Sequence, residues 1–222
     1  MSPADPEGAR AIQRRRTRAA ILAAARARFT EGGYERATIR EIADAAGVAV
    51  GSVHAHFRDK EALLFACFYA NIEAAVATIW AGHDEAAPLV DQLTRCARIL
   101  YEAYAAHIDL SRVMIKASLF HVARADEVEV DPLEPYLARI AGLYRSAAAR
   151  GEIRLRVDGG LAAESYFAHY LAVLLGGLSG RYPAADGPEA TAAGWAAHLR
   201  AFVALQLEGM GVARGDAEEE RS

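Results

Sequence analysis

The feature that most constrains this chain is a pair of glycine breaks near its start, Gly32-Gly33 and then Gly47. Glycine accepts the left-handed backbone that ends helices, so each break marks a helix C-terminus. Between them, Thr38 and Glu41 stand three apart at the head of the apolar set Ile42, Ala43 and Ala46. That spacing is a capping box, in which each side chain satisfies a backbone N–H of the other. A short helix is thus predicted to start at Thr38 and to stop at Gly47. A second short helix follows over about 50–57, with Val53 and Phe57 four apart on its inner side and Gly51, Ser52, Ala55 and His56 facing out. Arg58-Asp59 ends it, and a longer helix opens at Lys60-Glu61. Ahead of the pair, Ile21, Leu22, Ala25 and Phe29 mark a helix over about 11–31. Two short helices joined by a glycine turn and packed on a preceding helix make a helix-turn-helix.

Such a unit places its second helix in the DNA major groove, with the N-terminal residues at the base edges. Small residues there let the backbone approach closely, and the free N–H groups of a helix N-terminus favour phosphate. Overall charge, −4, points away from nucleic acid. The charge is unevenly placed, however. Residues 1–60 hold 11 basic and 7 acidic side chains, a net of +4, and residues 61–222 hold 14 and 22, a net of −8. Only the first part suits a polyanion. A solvated surface without a partner would have the same signature.

The remainder reads as long antiparallel helices over about 60–82, 87–106, 109–123, 132–150, 159–180 and 188–208, each with apolar residues at three- and four-residue spacing. Asp109 and Asp158 are candidate caps, and Asp131-Pro132 with Glu134 is a strong start signal. The fold class is therefore all-α: a three-helix N-terminal domain at 11–58 and a six-helix domain at 59–210. Residues 1–10 and 211–222 are expected to be disordered tails. The longest strongly apolar run is Leu171–Leu178, short of the roughly 20 residues a membrane span needs, and no signal-type run follows Arg14-Arg15-Arg16. A cytoplasmic protein with no membrane partner is expected. Cys67 and Cys96 read as small buried hydrophobes rather than a disulfide framework. His54 and His56 are two apart on a helix and do not face each other, and the other five histidines lack ligand spacing, so no metal and no cofactor is expected. No phosphate loop, nucleophile elbow or metal motif points to an enzyme.

The stretch from Phe29 through Gly32-Gly33-Tyr34, Ala37-Thr38-Ile39-Arg40, Ile42-Ala43, Ala46-Gly47-Val48, Gly51, Val53 and His56-Phe57 to Lys60-Glu61 and Leu63-Leu64 resembles the DNA-binding domain of the tetracycline-repressor (TetR) family. The resemblance covers about a sixth of the chain. It implies that Thr38 offers its hydroxyl or backbone to a phosphate and that Arg40 reaches the groove, where guanine is the usual base for an arginine fork. It implies that Val50, Gly51 and Ser52 begin the base-reading helix, and that His56 and Lys60 hold phosphates. Two positions depart from the family pattern. Ala49 lacks the usual Ser or Thr cap, at a cost of about 1 kcal/mol. His54 replaces a tyrosine that commonly touches phosphate. His54 can donate to phosphate, which would strengthen binding below about pH 6.5, or it can be a solvated side chain. Arg14, Arg15, Arg16 and Arg18 are either further phosphate contacts or a solvated helix start.

In similar proteins the later helices bind a small molecule and dimerise. Here Tyr166, Tyr170, Leu174 and Leu178 recur every four residues, and Trp195, Leu199, Phe202, Val203 and Gln206 follow a helical stripe. Paired with two-fold copies they would form a four-helix bundle, or they fill the monomer core. Gly176-Gly177 would permit close helix approach. Candidate effector-pocket residues are Tyr101, Tyr104, His107, Met114, Phe120, His121, Tyr144 and Phe167, polar or aromatic tips on apolar faces; each could equally be plain core. With no acidic cluster facing the interior, a neutral or anionic, partly lipophilic ligand is favoured over a cationic one. The expected function is a one-component regulator: a homodimeric repressor on a palindromic DNA operator, released by a small-molecule effector. Control by a partner protein, with a filled core, and activation instead of repression remain alternatives.

Overall fold

The computed structural model describes residues 6–119 and 133–210, which form nine α-helices and no strand. These are α1 (Pro6–Gly32), α2 (Ile39–Ala46), α3 (Val50–His54), α4 (Lys60–Ala81), α5 (Leu89–Ala105), α6 (Ile108–Ser118), α7 (Leu133–Ala149), α8 (Gly159–Leu178) and α9 (Pro188–Met210). The all-α expectation holds, with helix ends displaced by a few residues. The largest displacement is at α1, which starts at Pro6 and not at Ala11. Proline suits a first helical turn, where its missing N–H has no partner to lose. Residues 9–20 of α1 contain no buried side chain; burial begins at Ile21. Residues 6–10, expected within a disordered tail of residues 1–10, are helical in α1; the Asp131-Pro132 start signal, Phe120, His121, residues 1–5 and the tail 211–222 lie outside the described residues.

The chain divides into two units. The first contains α1, α2, α3, the start of α4, and α6. Its core joins Ile21, Ala25 and Phe29 of α1, Ile42 and Ala43 of α2, Val53 and Phe57 around α3, Leu63 and Leu64 of α4, and Met114 of α6. Gly47 caps α2 in the left-handed conformation (φ 66°), and its N–H bonds the carbonyls of Ala43 and Asp44. This tight stop turns the chain at once into α3.

The second unit contains the rest of α4 with α5, α7, α8 and α9. α5 lies along α9, and α8 packs on both α7 and α9. Gly177 is needed here: a Cβ would stand 2.3 Å from the Trp195 ring. The close approach expected of this glycine is therefore made within the chain. Asp158 caps α8 by accepting from Gly160 N–H at 2.7 Å. Asp109 does not cap α6. His107 holds that position without a side-chain bond, and Asp109 pairs with Arg112 at 2.8 Å.

By length and composition, α4 and α8 could each cross a membrane, contrary to the reading from contiguous apolar runs. A windowed mean tolerates the isolated polar residues that interrupt a run. In this fold both helices carry core: Leu63, Leu64, Cys67 and Ile79 of α4, and Tyr166, Tyr170, Val173 and Leu174 of α8, are buried. Cys67 and Cys96 are buried as free thiols in separate units, and burial pushes both up to about 12.

Candidate nucleic-acid interface

The site starts from the cap of α2. Thr38 has extended backbone (φ −115°, ψ 150°), and its Oγ1 accepts the Glu41 N–H at 3.2 Å. In return Glu41 Oε2 accepts both the Thr38 N–H and the Thr38 hydroxyl, each at 2.9 Å. These bonds hold the Glu41 carboxyl below its ordinary range. The capping box read from the sequence is thus complete, and it commits the Thr38 hydroxyl proton to Glu41. Two residues on, Arg40 is exposed.

The recognition helix α3 is one turn and a little more. Its N-cap, Ala49, makes no side-chain bond. Val53 points inward and is fully buried, while Val50, Gly51 and His54 are exposed and Ser52 is half-buried. Nothing stands within 4 Å of where a Gly51 Cβ would be, so the glycine answers no internal packing need. Its smallness leaves the outer surface of α3 low. At the far end of α3, His56 is half-buried. Burial, with the guanidinium groups of Arg14 and Arg18 nearby, holds its imidazole below the ordinary value. Arg18 lies over the Phe57 ring, 5.2 Å from its centroid. The exposed first half of α1 therefore brings arginines beside the end of the recognition helix.

Lys60, for which the resemblance implies a phosphate contact, is engaged within the protein. Its Nζ donates to the carbonyls of Tyr34, Glu35 and Ala37 at 3.0, 3.2 and 3.2 Å, and lies 4.4 Å from the Tyr34 ring centroid. An ammonium has three N–H bonds, and all three are used within the protein. The apolar-periodicity reading also passed over Tyr34, whose ring meets Phe29 edge-on at 5.3 Å. Its place beside the glycine break, within the stretch that carries the family resemblance, was the signal for it.

The described candidate pocket residues divide between the two units. His107 and Met114 belong to the first unit, Met114 as core. In the second unit, Tyr101 is fully buried, stacks on Tyr170 (4.9 Å, 1° between planes) and donates to the Tyr170 carbonyl at 2.9 Å. Phe167 stacks on the other partner of that pair, Tyr170, at 5.7 Å. Tyr104 is buried, and Tyr144 donates to Gln206 Oε1 at 3.0 Å. Tyr136, which the sequence reading did not single out, meets the Tyr166 hydroxyl at 3.4 Å, and Tyr166 donates to the Leu93 carbonyl at 3.0 Å. Burial raises the hydroxyl pKa of Tyr101, Tyr136, Tyr144, Tyr166 and Tyr170. These phenols stay protonated and act as donors. A groove of about 320 Å³ between α7 and α8 is lined by Leu133, Leu137, Ala138 and Ala141 with Gly160, Glu134 and Glu164; none of the candidates lines it, and two carboxylates do.

The dimer stripe needs correction in the same way. Tyr166, Tyr170, Leu174, Leu178, Trp195, Leu199 and Val203 are all buried within one chain. Gln206 donates to the Ala162 carbonyl at 3.2 Å. The large side chains follow the face that packs on the protomer's own helices. Of the stripe, Phe202 alone is exposed, and it stacks on His169 at 5.3 Å. The large exposed apolar residues of α8 and α9 are instead Leu161 (55%), Phe202 (36%) and Leu205 (64%), and exposed alanines include Ala168, Ala172 and Ala201.

A capped α2, a glycine turn and a low, exposed α3 beside the arginines of α1 make a helix-turn-helix unit. The sequence model of the bacterial regulatory proteins of the tetR family matches residues 21–67, the segment just described. Over residues 21–67 the chain thus carries a domain of the tetR regulatory-protein type. Over 60 residues it is 47% identical to an HTH-type transcriptional repressor of Mycobacterium tuberculosis; the match spans 26% of this chain and 32% of that relative. The fold is shared more widely. The regulator FadR of Bacillus subtilis, solved in complex with stearoyl-CoA, superimposes with a TM-score of 0.63 at 20% identity over 86% of this chain and 97% of that one. A transcriptional regulator of Saccharomonospora viridis, solved with choline, gives 0.62 at 20% over 84% and 95%. FadR of Bacillus halodurans gives 0.58 at 23% over 82% and 96%.

Proposed function

We propose that this chain is a repressor that binds a palindromic operator as a homodimer and is released by a small molecule. The observation that carries the reading is the bare outer surface of α3 beside Arg40. Val50, Gly51 and His54 are exposed at the start and outer side of the second helix, where base edges are reached in this motif. In this account residues 11–58 bind DNA and 59–210 bind effector and partner copy. Arg40, Val50, Gly51 and Ser52 read bases. The α2 N-terminus at Thr38 and the side chains of His54 and His56 take phosphates. The protein works in the cytoplasm, on the nucleoid when DNA-bound.

Dimerisation uses the outer face of α8 and α9. Leu161, Phe202 and Leu205 with intervening alanines form an apolar strip whose natural cover is its two-fold copy. Two half-sites must match the spacing of the two recognition helices, so an effector that favours another spacing lowers affinity. The effector lies among the second unit's helices, where the buried aromatic side chains suit a lipophilic ligand. The acyl-CoA and choline complexes of the structural neighbours fit effector binding in such folds.

Sedimentation of wild type and Leu205→Glu, each with a labelled duplex from upstream of its own gene, tests the reading. The wild type is expected to run as a dimer and to retard one duplex. The variant is expected to run as a monomer with binding at least tenfold weaker. A wild-type monomer that retards no duplex would sink the proposal.

A further inference from the structure

One side chain closes the DNA-reading segment on itself. Lys60 is the first residue of α4, a few residues past α3, and the three carbonyls it bonds belong to the stretch that leads into the Thr38 cap. The bonds join points 23 to 26 residues apart, the entry and the exit of the helix pair. The aliphatic stem is half-buried and the ammonium also sits over the Tyr34 ring, which Phe29 of α1 holds edge-on. The backbone bond from Ala37 N–H to the Gly33 carbonyl (3.3 Å) is local and sets no distance to α3.

We propose that Lys60 is a positioning residue, a clasp that holds the start of α2 in register with α3 and so serves DNA binding through Thr38 and Arg40, not through a phosphate of its own. The proposal rests on the DNA-reading function above. To reach a phosphate, the ammonium would have to leave three carbonyls and an aromatic face at once. Holding them costs nothing at the moment of binding, because the arrangement is already made in the free protein. Loss of the clasp frees the 34–37 stretch, and with it the angle at which Arg40 meets the groove.

The two roles separate by salt. A lysine on a phosphate releases a counterion, so removing it makes the plot of log K against log salt shallower by about 0.9. A clasp carries no such term. Lys60→Met keeps the stem and removes the charge with its three bonds. Lys60→Arg keeps the charge but replaces a compact ammonium by a planar fork that does not fit three carbonyls converging on one point. Full-length wild type and both variants are titrated with the same labelled upstream duplex at several salt concentrations. Amide hydrogen exchange over residues 34–41 is measured without DNA. The clasp predicts that both variants bind about tenfold or more weakly with an unchanged salt slope, and that amides 34–41 exchange faster while those of the α1 and α4 core do not. A slope shallower by about one unit in Lys60→Met, with full affinity in Lys60→Arg and unchanged exchange, would overturn it in favour of a phosphate contact. Unchanged affinity and exchange in both would overturn it outright. If wild type retards no duplex, the DNA reading fails, and the exchange data still decide whether the clasp exists.

Discussion

The two units of this chain use the same secondary structure in opposite ways. In the first, the residues of interest are exposed, and their places are set by backbone demands: a capping box at Thr38, a left-handed Gly47, a helix start at Val50. In the second, they are buried aromatics whose places are set by what they touch, as with Tyr101 on Tyr170 and Trp195 on Gly177. Backbone demands act over three or four residues, and packing acts across the whole unit. The first kind of site can therefore be read from a short stretch of sequence, and the second cannot.

A pair of glycine substitutions tests this contrast most strongly. Gly177→Ala puts a Cβ 2.3 Å from the Trp195 ring, and overpacking of this kind typically costs about 1–3 kcal/mol. Gly51→Ala meets nothing within 4 Å, and alanine is the better helix former by about 0.5–1 kcal/mol. Chemical denaturation should thus show Gly177→Ala destabilised and Gly51→Ala equal to or above wild type. Gly51→Ala should nevertheless bind DNA less well, because the methyl group stands on the face that meets the groove. Equal stability of the two variants would erase the distinction between the units.

A smaller effect is expected at the cap. Thr38→Ala removes the acceptor for Glu41 N–H and should lower stability by about 1 kcal/mol. Amide exchange should localise the loss to the first turn of α2. An effect spread over the second unit would contradict the local character claimed for the cap.

The smallest effect concerns pH. The His56 imidazole titrates below its ordinary value because burial and the charges of Arg14 and Arg18 oppose its protonation. The unfolded chain, with histidine near its usual value of about 6.5, binds more protons than the folded one in that window. Folded stability from this group is therefore present above about pH 6.5 and declines as pH falls through the lowered value. Phosphate docking beside the same three groups reverses the balance and favours the imidazolium. DNA affinity should rise a few-fold between about pH 8 and about pH 6 while thermal stability falls. His56→Gln should flatten the stability trend and weaken the affinity trend. Trends of the same sign in wild type would show that another group governs the pH response.

Much of the fold was legible because alanine-rich helices here end at glycine and begin at Asp158, Thr38 or proline, each a local signal. The helix-turn-helix was legible for the same reason. The bonds of Lys60 were not legible because its partners, within residues 34–37, are carbonyls, and a backbone acceptor leaves no trace in side-chain pattern. The dimer stripe was misread because α8 and α9 each have two apolar faces. Periodicity finds the larger residues, such as Tyr166 and Trp195, and these fill the protomer's own core. The smaller face, with Ala168, Ala172 and Ala201 between Leu161 and Leu205, is the one left open. The pocket candidates were chosen one by one for polar tips, and nothing in a helical period says that Met114 and Tyr101 belong to different units.

The central claim is that Arg40 and the start of α3 read bases. Its most direct measurement is a titration of wild type and Arg40→Ala against a labelled duplex from upstream of the gene and a scrambled duplex of equal length, at one salt concentration. The account predicts that wild type prefers the upstream duplex and that the variant loses at least about tenfold on it, the ~1.4 kcal/mol of one good base contact. On the scrambled duplex the variant should lose much less. Equal, weak binding of both proteins to both duplexes would contradict the account, since the contact would then be charge attraction alone.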